Sequence, residues 1–395
     1  MIIHLLRQIG EVRGLVHNTP APRVHNQRVS RHTIPPLFEA LVPGCASLSI
    51  MANKLEDIKI APDSIVHHPK SGTYEPDDWQ SETTSIATDL YKGFMENGRR
   101  YQTLRSSEYF SPADEQQFET YEVGHFAALL MNSERANPLY CAPVQNPRHV
   151  LDIGTGQGAW AIDIADMFPN AVVRGVDLFP PPNTWIPPNC LFEVDDVLQR
   201  WTWREKFDLI HLRHGIGAFT PDEWEYLYKQ CYDNLEPGGW FEQIEMDIRC
   251  ECDDGSIPPE SVLLTWGPRF FAAGKKLGKP LDITKTMRSF IETAGFVDIH
   301  EETKKWPIGP WPRDKSLKAA DLVNIQHWLD GMEGYSMYLL TKYGDPTPWS
   351  KDEVLVYVAQ MRKALKNPRM HAYQRAKRIW AKKPLSDGFT CEGRP

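Results

Sequence analysis

From residue 146 onward the hydrophobic positions alternate between two rhythms. Arg148-His-Val-Leu-Asp-Ile153 is a short apolar run entering a glycine-rich turn, and Trp160, Ile164, Met167 and Phe168 then recur at helical spacing. Ala171-Val-Val-Arg-Gly-Val176 predicts a second strand ending in Asp177, and Cys190-Leu-Phe-Glu-Val194 a third ending in Asp195-Asp196. Phe207-Asp-Leu-Ile-His-Leu212 predicts a fourth. The next helix is marked at both ends: Thr220 suits its cap, Pro221 its first position, Glu223 completes a capping box, and Glu236-Pro-Gly-Gly239 stops it. Trp224, Leu227, Tyr228, Cys231 and Leu235 form the stripe it buries, and Trp240–Glu245 is a fifth strand whose period sends Gln243 and Glu245 to one face. Strands separated by single helices predict an α/β fold, a doubly wound and mostly parallel sheet with helices on both faces. Ligands of such sheets lie at the carboxyl ends of the strands, near the point where strand order reverses. The glycine turn and the strand-end acids all fall there.

The first fifty residues follow a different pattern. Ile2, Leu5, Leu6, Ile9, Val12 and Val16 fall at helical spacing with Arg7 and Arg13 between them. Five arginines, no lysine and two acids (Glu11, Glu39) give this segment +3 against −8 for the whole chain, which leaves −11 for the rest. An Arg-rich, acid-poor amphipathic start is how mitochondrial presequences look. The plainer reading is an extension ahead of a start at Met51, dispensable for folding and catalysis. Residues 51–84, with Pro62, Pro69 and Pro76 among Ser, Thr and Asp, read as a loose lead-in. Residues 1–84 are therefore expected to be disordered or loosely ordered, and 385–395 to form a tail.

Composition narrows the function class. At 41% hydrophobic and 24% charged residues the chain has the make-up of a soluble globular protein. No apolar run approaches the ~18 residues of a spanning helix, so no membrane segment is expected. The acidic balance argues against gripping nucleic-acid phosphates directly. Seven scattered cysteines without a CxxC pair fit a reducing compartment, cytoplasm or nucleus, and Cys250-x-Cys252 lacks a second half with ligand spacing. No metal is expected.

The central motif is His149-Val-Leu-Asp152-Ile-Gly154-Thr-Gly156-Gln-Gly158. Glycines at alternate positions let the backbone pass close beneath a flat ligand, and the following helix N-terminus favours an anion. A dinucleotide turn would place its third glycine where Ala159 stands. Asp177 at the end of the next strand is placed to accept both hydroxyls of a ribose. Asp196, at the end of the third, is placed to accept a proton from an adenine amino group.

Together, Leu151–Gly158, Asp177, Asp196 and Leu235-Glu-Pro-Gly-Gly239 resemble the motif ladder of class I S-adenosylmethionine-dependent methyltransferases. More narrowly, Glu96-Asn-Gly-Arg-Arg-Tyr101, Trp185-Ile-Pro-Pro-Asn-Cys190, Phe207–Arg213, Gly238-Gly-Trp-Phe-Glu-Gln243, Pro307-Ile-Gly-Pro-Trp-Pro312 and His371-Ala-Tyr373 resemble the fungal LaeA-like methyltransferases. That group contains velvet-associated regulators of secondary metabolism and relatives found in biosynthetic clusters. The resemblance implies a Rossmann-like seven-stranded sheet in the order 3-2-1-4-5-7-6, its last strand antiparallel near 371–381. It implies a helical lid over 85–145, a methyltransferase domain over 146–384, and substrate cover from insertions at 253–285 and 310–365.

By the same resemblance Gly154, Gly156 and Gly158 line the methionine portion of S-adenosylmethionine, with Asp152 near its amino group, Asp177 on the ribose and Asp196 on the adenine. Tyr101 and Arg100 are the candidates for the lid's contact with the cofactor. Trp201, Trp203, Trp266, Trp306, Trp311 and Trp328 lie near the cover, where one or two would form a flat wall for an aromatic acceptor. Methyl transfer needs the nucleophile in line with the methyl and water excluded. His214, just past the fourth strand, is the candidate base on the acceptor side, with an imidazole near 6.5 needing no tuning. His211, inside the strand, reads as a satisfied core histidine. Arg213 either pairs with the cofactor carboxylate or stabilises the loop. Two functions stay open: an enzyme methylating a small metabolite, and a regulatory methyltransferase in a nuclear velvet-type protein complex.

Overall fold

A computed structural model describes residues 92–385 apart from 106–107, 184–185 and 310. The amphipathic start, the lead-in at 51–84 and the tail beyond 385 lie outside the described residues, as does Trp185. Seven strands form the main sheet. They are β3 (His149–Ile153), β4 (Val172–Asp177), β5 (Cys190–Val194), β6 (Phe207–Arg213), β7 (Leu235–Glu251), β8 (Val297–Pro307) and β9 (Tyr373–Lys382), numbered after the short hairpin of β1 (Phe94–Glu96) and β2 (Arg99–Tyr101). Their order is β5-β4-β3-β6-β7-β9-β8, with β9 antiparallel to both neighbours. This is the 3-2-1-4-5-7-6 order that the motif ladder implies. The order reverses beside β3, so the crevice between β3 and β6 is where a ligand belongs.

The helices form as the pattern predicts where their apolar stripes meet this sheet. Helix α2 (Ala159–Met167) buries Trp160, Ala161, Ile164 and Ala165 against one face, with Val150, Val173 and Leu209 beneath. Helix α3 (Pro221–Asn234) covers the other face through Trp224, Leu227, Tyr228 and Cys231. Thr220 and Glu223 form the reciprocal capping box, with Pro221 opening the helix. Strand β7 is longer than the Glu-Pro-Gly-Gly stop suggests: its register jumps from Phe207↔Leu235 to Leu209↔Trp240, so the turn residues are absorbed as an irregularity within one strand. Alternation on β7 sorts its acids. Gln243 donates to Glu245 at 3.0 Å on one face, while Glu242 on the other accepts from the Cys141 and Ala142 amides and pairs with Arg378.

A second core builds up beside the sheet. Helices α4 (Trp266–Leu277), α6 (Lys315–Tyr343) and α7 (Lys351–Leu365) enclose Phe270, Trp328, Met332, Tyr338, Val358 and Met361. Helix α5 (Met287–Thr293) packs instead on the sheet core. Helix α1 (Glu115–Met131) lies across α6, where a Cβ on Gly124 would come within 2.7 Å of the His327 ring. Absence of that Cβ lets an imidazole sit directly on the helix backbone.

The expected lid over 85–145 departs, over its described residues from 92 onward, from a purely helical cover. Glu96-Asn-Gly-Arg-Arg-Tyr101 is the turn and second strand of the β1–β2 hairpin, with Asn97 and Gly98 both at positive φ (54° and 88°). That is the conformation Asn-Gly selects between two strands. A strap follows, described over 102–105 and 108–113, and only then comes α1, capped by Asp114, whose carboxylate accepts from the Gln117 amide at 3.0 Å.

Candidate functional site

The glycine turn leaves β3 and closes back onto β4: the Gly154 and Thr155 amides donate to the Val176 carbonyl at 2.9 and 3.0 Å. Gly154, Gly156 and Gly158 all have positive φ (66°, 59° and 86°). A Cβ on Gly154 would meet nothing within 4 Å, one on Gly156 would meet the Tyr121 ring at 3.3 Å, and one on Gly158 would strike Phe192 at 2.3 Å. The first two therefore face open space under an aromatic roof, while the third permits close packing at the start of α2.

This turn floors a cavity of about 150 Å³ at the carboxyl ends of β3, β4 and β6. Asp152, Gly154, Gly156, Asp177 and His214 line it; Gly158 does not. Asp152 is buried and doubly engaged, Oδ2 accepting from Thr155 Oγ1 at 2.7 Å and Oδ1 pairing with His211 Nδ1 at 2.8 Å. His211 lies flat on Trp160, ring centroids 3.7 Å apart, and its Nε2 is buried without a partner, so it is half satisfied. Asp177 accepts the Gly156 amide on Oδ2 and the Leu178 amide on Oδ1, both at 2.8 Å. Burial, reinforced by Asp152, outweighs those donors and pushes its carboxyl up to about 6.

Several of the residues expected at the site stand outside the cavity. Tyr101 and Arg100 do not line the cavity. Tyr101 is buried in the second core, its ring 5.3 Å from Phe94 and 5.1 Å from Tyr338. Arg100 donates to the Ala113 carbonyl at 2.9 Å and lies over Phe179, one side chain removed from the cavity. Hairpin alternation is the cause, since it points Tyr101 inward and spends Arg100 on holding the strap. Asp196 is likewise turned aside. Arg105 from the strap grips it, Nε lying 3.1 Å from each oxygen, and donates Nη1 to the Ala218 carbonyl. Its neighbour Asp195 lines the cavity instead. None of the six tryptophans lines it either; the aromatic walls are Tyr109, Phe118, Tyr121, Phe179, Phe219 and Trp160.

His214 stands at the cavity with a positive φ of 60°, unusual for a histidine. The loop behind it is held by Glu245, which accepts the Gly215 amide at 2.9 Å and the Ile216 amide at 3.2 Å. Its imidazole does not keep an ordinary pKa: burial, then the charge of Arg213, holds it well below 6.5. The ring therefore stays neutral at working pH, available as an acceptor but a weaker base than an exposed histidine.

No sequence signal marked Arg105, Tyr121, His125 or His327, which line the cavity from other elements, or Asp163, which bonds to His125. Tyr121 and His125 share one face of α1 at i and i+4, and His327 reaches in from α6, its Nδ1 2.9 Å from the Thr120 carbonyl. Among the described residues no group of three or more His, Cys, Asp or Glu is arranged to hold a metal, and no helix is long and apolar enough to cross a membrane.

Comparison with known proteins gives this geometry a context. The description "methyltransferase domain" matches residues 125–301. The methyltransferase pytC of Aspergillus terreus is 32% identical over 310 residues, covering 78% of this chain and 93% of that protein. The secondary metabolism regulator LAE1 of Cochliobolus heterostrophus is 35% identical over 303 residues, covering 74% and 95%. The probable methyltransferase tdiE of Emericella nidulans is 30% identical over 253 residues, covering 63% and 77%.

Proposed function

The chain belongs to the LaeA-like fungal methyltransferases, and from that premise we propose that this S-adenosylmethionine-dependent enzyme methylates a small-molecule acceptor of secondary metabolism. The observation that carries the choice of acceptor is the roof of the cavity. Strap residues Tyr109, Ser111, Pro112 and Ala113 and α1 residues Phe118 and Tyr121 cover the glycine turn, with Ser111 Oγ and Tyr121 Oη 2.6 Å apart. Such a roof encloses the place where the methyl group would be transferred, which suits a small acceptor and shields it from water.

The residues present fit the cofactor. The turn leaves its backbone bare at Gly154 and Gly156, and each Asp177 oxygen keeps a lone pair beyond its amide bond. In this reading Gly154 and Gly156 run beneath the methionine portion, Gly158 sets the turn, and Asp152 fixes it through Thr155. Asp177 takes the ribose hydroxyls, and Asp195, in place of Asp196, takes the adenine amino group. When bound, the cofactor supplies an electrophilic methyl group on a sulfonium. His214 faces the acceptor as a neutral hydrogen-bonding group, and its loop is fixed by Glu245.

The second reading, a regulatory methyltransferase in a nuclear protein complex with velvet-type partners, draws support from the likeness to LAE1. Under either reading we place the site of action in the cytoplasm or nucleus. Incubation with methyl-labelled cofactor and fractionated fungal lysate separates the two. Label in extractable metabolites is the expected result; label confined to protein transfers the proposal to the regulatory reading.

A further inference from the structure

Arg213 is the one cavity-lining cation whose charge the fold leaves without a carboxylate among the described residues. It ends β6 and lines the cavity beside Asp152 and Gly154, yet Asp152 is committed to His211 and Thr155. Arg105, the other arginine of the lining, is spent on Asp196. The side-chain bond that Arg213 does make is to a neutral acceptor: Nη2 lies 3.1 Å from Nδ1 of His125. An arginine only donates, so His125 Nδ1 carries the lone pair and Nε2 carries the proton. That proton meets Asp163 Oδ2 at 2.8 Å. Asp163 on α2, His125 on α1 and Arg213 on β6 thus form a chain across three elements, with Asp163 and His125 only 7% and 6% exposed. The chain fixes the guanidinium direction without neutralising it. Desolvating a cation in this way is costly unless an anion completes the site.

We propose that Arg213 is the clamp for the α-carboxylate of the cofactor's amino-acid portion, and that Asp163, acting through His125, is its positioning residue. This rests on the assignment of the cavity to S-adenosylmethionine. Guanidinium and carboxylate match as planar, forked partners, which a point charge at the same place would not. Arg213 adjoins the glycine turn, the floor of the methionine portion, so the anion it meets is the cofactor's own.

The test compares two ligands that differ in the clamped group. S-adenosylhomocysteine carries the amino acid; 5′-methylthioadenosine keeps the nucleoside and lacks it. Calorimetric titration should show Arg213→Met weakening S-adenosylhomocysteine by about tenfold or more while 5′-methylthioadenosine stays within about threefold. Arg213→Lys should recover part of the loss, and Asp163→Asn should show the same selectivity with a smaller amplitude. Circular dichroism of each variant guards against unfolding. Equal losses for both ligands, or unchanged affinity for S-adenosylhomocysteine, would overturn the clamp. Failure of the parent protein to bind either ligand would instead overturn the cavity assignment.

Discussion

At the scale of single residues, charge placement decides what each acid does. Asp177 has two amide donors and still has its carboxyl raised to about 6, because burial beside Asp152 disfavours the anion. The ribose hydroxyls would be accepted by the ionised form, so cofactor affinity should climb as pH rises through 6 and level off above 7. Titrations of S-adenosylhomocysteine from pH 5 to 8 check this, and Asp177→Asn should flatten the profile. His214→Ala should lower turnover by about tenfold to a hundredfold, at or below the usual range for a general base, while cofactor affinity holds within a few-fold. Collapse of affinity would move His214 to the cofactor side. The position of Asp177 at the cavity was legible because it ends the strand that follows the glycine turn. That Asp195 and not Asp196 lines the cavity was not legible, because Asp196 is held by Arg105, which lies 91 positions away in sequence.

At the scale of elements, local signals succeeded where they were self-contained. The Thr220 box, Pro221 and the stripe of α3 appear as read. Asn97-Gly98 was an equally local hairpin signal, masked by the expectation of a helical cover. The meeting of α1 and α6 had no local signal at all. A methyl group at Gly124 must displace His327, so Gly124→Ala should destabilise the fold by roughly 1–3 kcal/mol, measured by urea unfolding. Helix α6 also buries Asp321 completely; Oδ1 accepts the Gly309 amide at 2.6 Å and Oδ2 has no partner. Burial pushes its carboxyl up to about 8. A raised acid contributes stability in its protonated form, present in full below its ordinary pKa near 3.8 and lost as pH rises through about 8. Thermal unfolding of Asp321→Asn should therefore depend less on pH between 4 and 9 than that of the parent.

At the scale of the molecule, β3 to β7 were legible because each carries its own apolar run, β9 was placed only by the family ladder, and β8, whose sequence VDIHEETKKWP is mostly polar, had no residues assigned. Helices α4, α6 and α7 fall within the insertions expected at 253–285 and 310–365, but the second core they share was not legible, since α6 buries residues on several sides and shows no single stripe. The cavity and every residue proposed to act in it lie within 92–385. A chain beginning at Met51 is therefore expected to keep the melting temperature and cofactor affinity of the full protein, and a large fall in either would reverse the reading of the first fifty residues. The most direct measurement is titration of S-adenosylmethionine into the full-length protein and into Asp177→Ala. One binding site per chain is expected, weakened at least tenfold by the substitution as charge-assisted bonds to the ribose are lost. Affinity that is absent in the parent protein, or indifferent to Asp177, would contradict it.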